Sequence, residues 1–182
     1  MLRYQIKQPD ELQPIEIRTI LHYWEVDEWQ QLSESEFKNK FAQSEFHLLT
    51  NENFKILAVA RLNFDFSIKV QDQFYKLVEL VGLVAMEKRR GYGKKLIENL
   101  VANVKARNLQ TISFCEMVNR PFYQSCQLPM LLNQAKQLRE PTGAEWLVPE
   151  DDDLLIVHLS EEHTQILKNL SPENLGYLVL GN

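Results

Sequence analysis

No stretch of this 182-residue chain is apolar for long enough to cross a bilayer; the longest, residues 77–86, is interrupted by Glu79. The first seven residues lack the apolar h-region of a secretory signal, so a cytoplasmic protein is expected. Cysteine is scarce. Cys115 and Cys126 are the only two, and in a cytosolic setting both are expected to be reduced thiols. Positive charge is also short: 20 Lys and Arg against 25 Asp and Glu leave a net charge of −5, which speaks against nucleic-acid binding. His22, His47, His158 and His163 are scattered, and the last two are not spaced to share a helix face, so no zinc site is expected. The acidic run Glu150-Asp151-Asp152-Asp153 lacks the alternating ligand spacing of a calcium loop and reads as a solvated turn. Neither a repeat nor a low-complexity tract is present.

What is there is an ordinary globular mixture, 45% apolar and 25% charged, in a length suited to one domain. Residues 2–6 read as a strand, and Pro14 stands in the first turn of a helix that follows. Ser33 with Glu36 three residues on forms a capping box for a second helix. Tyr23, Trp24, Trp29 and Phe37 between them read as core or as the wall of a substrate cleft. Residues 46–50 form a strand and Asn51-Glu52-Asn53 a turn. Then Phe54, Ile56, Ala58, Ala60, Leu62, Phe64 and Phe66 recur at every second position, the period of an extended strand with one apolar face. Residues 71–73 turn the chain, and 74–84 return antiparallel, with Gly82 marking a bulge or a close backbone approach.

Leu96, Ile97, Leu100, Val101 and Val104 recur at helical spacing up to a stop at Asn108, and 111–116 read as a strand. A strand–helix–strand unit of this kind is a parallel, right-handed crossover. A short helix around Pro121-Phe122-Tyr123, a late strand at 154–159, and a helix with an apolar tail at 161–182 complete the chain. The fold class is mixed α/β (α+β): a mostly antiparallel sheet with one parallel crossover, flanked by helices. The expected domain spans 1–160, with 161–182 packing on it or on a second subunit, which makes a homodimer an expectation.

Between the returning strand and the crossover helix stands Arg89-Arg90-Gly91-Tyr92-Gly93-Lys94. Glycine permits φ > 0 and removes the Cβ that would hold an anion away from the backbone. The unpaired amides of the first helical turn then face that anion, assisted by the helix dipole. Lys88, Arg89, Arg90, Lys94 and Lys95 gather positive charge at one spot of an acidic chain, which points to a local anionic ligand. A solvated basic face is the alternative, because a G-x-G turn alone is common.

With its flanks this segment resembles the acyl-CoA motif of the GNAT superfamily of N-acetyltransferases, R/Q-x-x-G-x-G/A between a strand and a helix, with Lys88 at the Arg/Gln position. Arg120-Pro121-Phe122-Tyr123-Gln124 is similar to the family's second signature, in which a "pFYe" segment precedes "kxGF". Gln127 and Leu128 stand where glycine and phenylalanine are usual, and Glu116 where many members have asparagine. The resemblance covers residues 1–160 and implies a GNAT-like splayed sheet. Pantetheine would lie in the splay, pairing with amides around Leu83 and Val84 like an added strand. The pyrophosphate would rest on the amides from Arg89 to Lys94, with Lys88, Arg89, Arg90, Gly91, Tyr92, Gly93 and Lys94 as the binding set.

The implied reaction is transfer of an acetyl group from acetyl-CoA, the acyl-donor substrate, to a primary amine by direct attack in a ternary complex. Tyr123 matches the family's general acid for the departing thiolate. Glu116 and Glu79 are candidate bases; each reads equally as an ion-pair partner of Arg61 or as a solvated strand residue. No histidine lies at a telling spacing from either cysteine, so an acyl-cysteine route is not expected. The acceptor would be an amine-bearing small molecule, peptide or protein, with neither nucleic acid nor membrane as a partner. Two other functions stay open: a non-catalytic acyl-CoA-binding or regulatory module on the same fold, and a nucleotide-phosphate binder that uses the turn without the thioester.

Overall fold

Caps and periodicity in the sequence become elements with little displacement. The computed structural model describes residues 1–140 and 152–180. In chain order the elements are β1 (Arg3–Lys7), α1 (Pro14–Trp24), α2 (Glu34–Lys40), β2 (Ser44–Thr50), β3 (Ile56–Val70), β4 (Gln73–Ala85) and α3 (Tyr92–Ala106). They continue as β5 (Thr111–Cys115), α4 (Arg120–Ser125), β6 (Met130–Leu131), β7 (Leu138–Arg139), β8 (Asp153–His158), α5 (Glu161–Lys168) and β9 (Gly176–Leu180). Two compact units result, Met1–Asn63 with Val81–Leu100 and Phe64–Leu80 with Val101–Asn182; β3, β4 and α3 each contribute residues to both.

In the first unit β1 pairs antiparallel with β2, and β2 with β3. The chain leaving β4 keeps to the same strand, with the Met86 amide donating to the Leu57 carbonyl at 2.9 Å. Helix α1 opens with Pro14 at its first position and buries Ile17, Ile20 and Leu21, spaced to share one face. Helix α2 is capped as expected: Ser33 Oγ accepts from the Glu36 amide at 3.3 Å, and Glu36 Oε2 accepts from the Ser33 amide at 2.8 Å. Hydrogen bonds from the Ser33 side chain and backbone hold the Glu36 carboxyl below its usual range. Both helices close a core of Leu12, Ile17, Ile20, Phe37, Phe41, Phe46, Leu48, Ile56 and Val59, with Trp24 and Trp29 packed against it. The aromatic region is thus mainly core, apart from exposed Tyr23.

Strand β3 departs from the expected one-faced pattern. Residues 56–60 are all buried, so both faces are covered there, and the alternation that begins with Leu62 and resumes at Phe66, Ile68 and Val70 is broken at half-buried Phe64. Phe54 does not belong to the strand. It sits in the β2–β3 turn at φ +60, exposed, because Asn51 Oδ1 accepts from the amides of Asn53 and Lys55 and folds the chain back locally.

In the second unit β4 pairs parallel with β5 through Val78↔Thr111 and Glu79↔Ile112, the expected crossover. On its other side β5 pairs antiparallel with β8, and β8 with β6. Helix α3 ends where expected. Asn108 takes φ +51, its amide donates to the Lys105 carbonyl and that of Leu109 to the Val104 carbonyl, the double closure of a Schellman end. The apolar tail becomes β9, antiparallel to β3 from Phe66↔Leu180 to Val70↔Gly176 and parallel to two-residue β7. That second parallel pair was not expected, since two residues carry no periodicity. The core here gathers Phe66, Ile68, Leu77, Ile112, Leu138, Leu154, Leu167 and Leu178.

One detail corrects the sequence reading and a second adds to it. Glu150 and Asp151 of the acidic run lie outside the described residues, but Asp152 and Asp153 are buried rather than solvated. Asp153, at 0% exposure, starts β8 and takes both Nε and Nη2 of Arg120, the latter at 2.8 Å, plus the Asn133 amide at 2.8 Å. The carboxylate is buried because a planar fork and a backbone donor replace its water. The second detail is Gln127, which stands where the resembling motif has glycine. It takes φ +59 at the end of α4, with Gln127 N bonded to Gln124 O and Leu128 N to Tyr123 O, another Schellman closure. The position thus takes the left-handed backbone that glycine adopts most easily.

Asp153→Ala is expected to cost about 3 kcal/mol, because it leaves the Arg120 charge and the Asn133 amide without their acceptor; urea denaturation measures it. Gln127→Gly is expected to raise stability by about 0.5–1 kcal/mol, by relieving a left-handed side-chain residue. A higher thermal midpoint checks that, with the α4 sequence otherwise intact.

Candidate functional site

Past Ala85 the chain turns through residues 86–91 and enters α3 at Tyr92. The turn is left-handed twice, at Arg89 (φ +62) and Gly91 (φ +77). The Gly91 carbonyl accepts from the Lys95 amide at 2.9 Å, the first i→i−4 bond of the helix. The amides of Tyr92, Gly93 and Lys94 therefore precede any intrahelical carbonyl that they can reach. A Cβ built on Gly91 would meet no atom within 4 Å, so the missing side chain answers no packing need of the chain itself. Lys88, Arg89, Arg90, Gly91 and Lys94 are exposed, Tyr92 is half-buried and Gly93 is buried. Arg90 pairs with Glu87 at 3.5 Å and Lys95 with Glu98 at 3.2 Å. Among the described residues no carboxylate pairs with Lys88, Arg89 or Lys94. Open amides, space for an anion and uncompensated cations suit a diphosphate.

Leu83 and Val84, near the end of β4, are half-buried. Just before them Gly82 takes φ +65, as a bulge position would. The close approach foreseen there is made by an indole, not by backbone. Trp24 Nε1 donates to the Gly82 carbonyl at 2.7 Å, and a Cβ on Gly82 would lie 2.8 Å from that nitrogen. No local signal announces this bond, because the two residues are 58 positions apart.

An open, largely apolar groove of about 590 Å³ in the same unit is lined by Ile15, Thr19, Tyr23, Phe54, Ile56 and Met86. Of the aromatic residues named as a possible cleft wall, Tyr23 lines it, whereas Trp24 and Trp29 face the core. A hollow of about 290 Å³ is lined by Leu2, Asn51, Lys55, Leu57, Glu87 and Tyr92.

The proposed acid and bases belong to the second unit. Tyr123 on α4 is half-buried, with its ring edge-on to Phe122 at 5.0 Å. Burial, then the neighbouring Cys115 and Cys126, push its hydroxyl far above the ordinary tyrosine range, so the group remains a proton carrier. Cys115 is buried, and its thiol is pushed up to about 11 by burial first and then by Asp153 and Asp152. At neutral pH it is a thiol, not a thiolate nucleophile. Glu79 is buried, 4% exposed, in the two-pair ladder of β4 with β5. Glu116 falls one residue beyond β5, not on it. It is exposed and caps the turn Met117–Asn119, its carbonyl accepting from the Asn119 amide at 2.9 Å. The two candidate bases thus stand in opposite environments. Among the described residues there is no group of three or more His, Cys, Asp and Glu side chains able to hold a metal ion.

No family model matches the chain, and no curated protein matches it in sequence. Solved structures match by shape. The Escherichia coli GNAT-family N-acetyltransferase YhbS, in complex with CoA, aligns with a TM-score of 0.59 and 15% identity over 97% of this chain and 90% of that one. An acetyltransferase from Bacillus subtilis in complex with CoA gives 0.53 and 16% over 88% and 100%. An N-acetyltransferase from Staphylococcus aureus Mu50 gives 0.55 and 10% over 85% and 96%. Among the described residues no helix is long and apolar enough to cross a membrane. Agreement along nearly the whole length at such low identity is agreement of backbone path: the chain has the fold of the GNAT-family N-acetyltransferases.

Proposed function

We propose that the chain is an acetyltransferase that moves an acetyl group from acetyl-CoA to a primary amine. The observation that carries this reading is the open left-handed turn at Gly91. It adjoins three cations that have no carboxylate partner among the described residues, in a fold whose E. coli and B. subtilis neighbours are CoA complexes. The diphosphate of the donor would take the amides from Arg89 to Lys94, and its pantetheine those around Leu83 and Val84. The neutral amine attacks the thioester carbon, the C–S bond breaks, and the CoA thiolate takes the Tyr123 proton. The amine's own proton leaves to solvent or to a carboxylate, for which Glu116 is accessible and Glu79 buried. Because the Cys115 thiol stays protonated, direct attack is favoured over an acyl-cysteine intermediate.

Calorimetry with CoA and with ADP, together with thiol release from acetyl-CoA across an amine panel, tests the reading. Saturable CoA binding with turnover is the expected result. Binding without turnover on any amine indicates a regulatory or carrier module instead, and equal affinity for ADP indicates a nucleotide-phosphate site.

Gly91→Ala meets no steric obstacle in the protein, so it should cost only about 1 kcal/mol of stability from its positive φ. CoA affinity is expected to fall about tenfold, since the new methyl stands where the anion would lie; calorimetry beside thermal melting separates the two effects. Tyr123→Phe is expected to lower kcat by about a hundredfold with CoA affinity unchanged. An acid must be protonated to act, and this hydroxyl titrates above its ordinary value. The wild-type kcat should therefore show no loss from this group below about pH 10, which a pH–rate profile compared with the Phe variant would reveal.

A further inference from the structure

Gly82 is the only residue of β4 with a positive φ, and glycine by itself does not prefer that conformation to its mirror image. The Trp24 indole occupies the space where a Cβ would stand, with Nε1, Cε2 and Cζ2 at 2.8–2.9 Å from that position, and its N–H donates to the Gly82 carbonyl at 2.7 Å. The ring has little freedom to withdraw. Trp29, Phe41 and Phe46 surround it at centroid distances of 5.7, 5.5 and 6.0 Å, and Phe37 stacks at 6.4 Å. An N–H held inside such a cage needs an acceptor, because leaving it unbonded costs its hydration.

The bond has a directional consequence. The Gly82 carbonyl and the Leu83 amide belong to one planar trans peptide, so their bonds point in opposite directions. When the carbonyl is drawn to Trp24, the Leu83 N–H is turned away from it. We propose that Trp24 is a positioning residue for the acyl donor: its indole N–H locks the Gly82 kink and so aims the Leu83 amide at the pantetheine. The inference rests on the acyl-CoA reading above and deepens it, since Trp24 itself touches no reacting atom.

Trp24→Phe keeps an aromatic ring in the cage and removes the donor. Its CoA dissociation constant, measured by calorimetry, is expected to rise about tenfold, the value of one hydrogen bond. Phe41→Leu is the packing control: it loosens the same cage and keeps the bond, and should lower the thermal midpoint while leaving CoA affinity within twofold. In a Trp29→Phe/Trp146→Phe protein Trp24 is the sole indole, and its emission should change saturably with CoA at the calorimetric midpoint. Wild-type CoA affinity in Trp24→Phe overturns the proposal, as does affinity lost equally in Phe41→Leu. Emission indifferent to saturating CoA overturns it even where Trp24→Phe does not fold. Failure of the wild type to bind CoA at all removes the acyl-donor reading, and this inference with it, by a separate result.

Discussion

A helix cannot satisfy its own first amides, and among the described residues no backbone carbonyl accepts from those at the start of α3. The Gly91 carbonyl starts the helical ladder at Lys95, the space beside its Cα is empty, and Lys88, Arg89 and Lys94 have no carboxylate partner among the described residues. Each property alone is ordinary. Together they concentrate positive potential on backbone donors at one place in an acidic chain.

Two glycines of similar dihedral serve opposite ends. Gly91 at φ +77 borders open space and would matter through what approaches from solution. Gly82 at φ +65 borders the Trp24 ring and matters through what the protein already holds there. The first admits a methyl without a clash and the second does not. Two of the other left-handed residues are helix endings: Asn108 and Gln127 each close a Schellman motif, although only asparagine tolerates that region easily. Gln127 shows that a residue with a full side chain can hold a left-handed helix end when the flanking hydrogen bonds close around it.

Around Tyr123 one physical cause sorts the chemistry. Desolvation raises the tyrosine hydroxyl and the Cys115 thiol alike. For the hydroxyl this preserves a proton to give; for the thiol it withholds a nucleophile. The neighbouring carboxylates that raise Cys115 include Asp153, whose own burial is made tolerable by the Arg120 fork. Arg120 is three residues before Tyr123 on α4, so the pair that stabilises β8 also anchors the helix bearing the proposed acid.

Features that depend on residues three or four apart, or on strict alternation, are legible from spacing along the chain. The Ser33–Glu36 capping box, the proline start of α1, the apolar stripe of α3 with its Asn108 stop and the basic double-glycine turn are all of this kind, because their bonds are local and recur at helix or strand period. Tertiary structure alone decided the rest. It brought Trp24 to Gly82, put Asp153 under Arg120, made the tail a strand of the sheet, placed Phe54 in a turn and set Glu79 inside while Glu116 stayed out. These outcomes follow from which distant surfaces are covered and which buried polar groups must find partners, and neither is encoded in the spacing of neighbours along the chain.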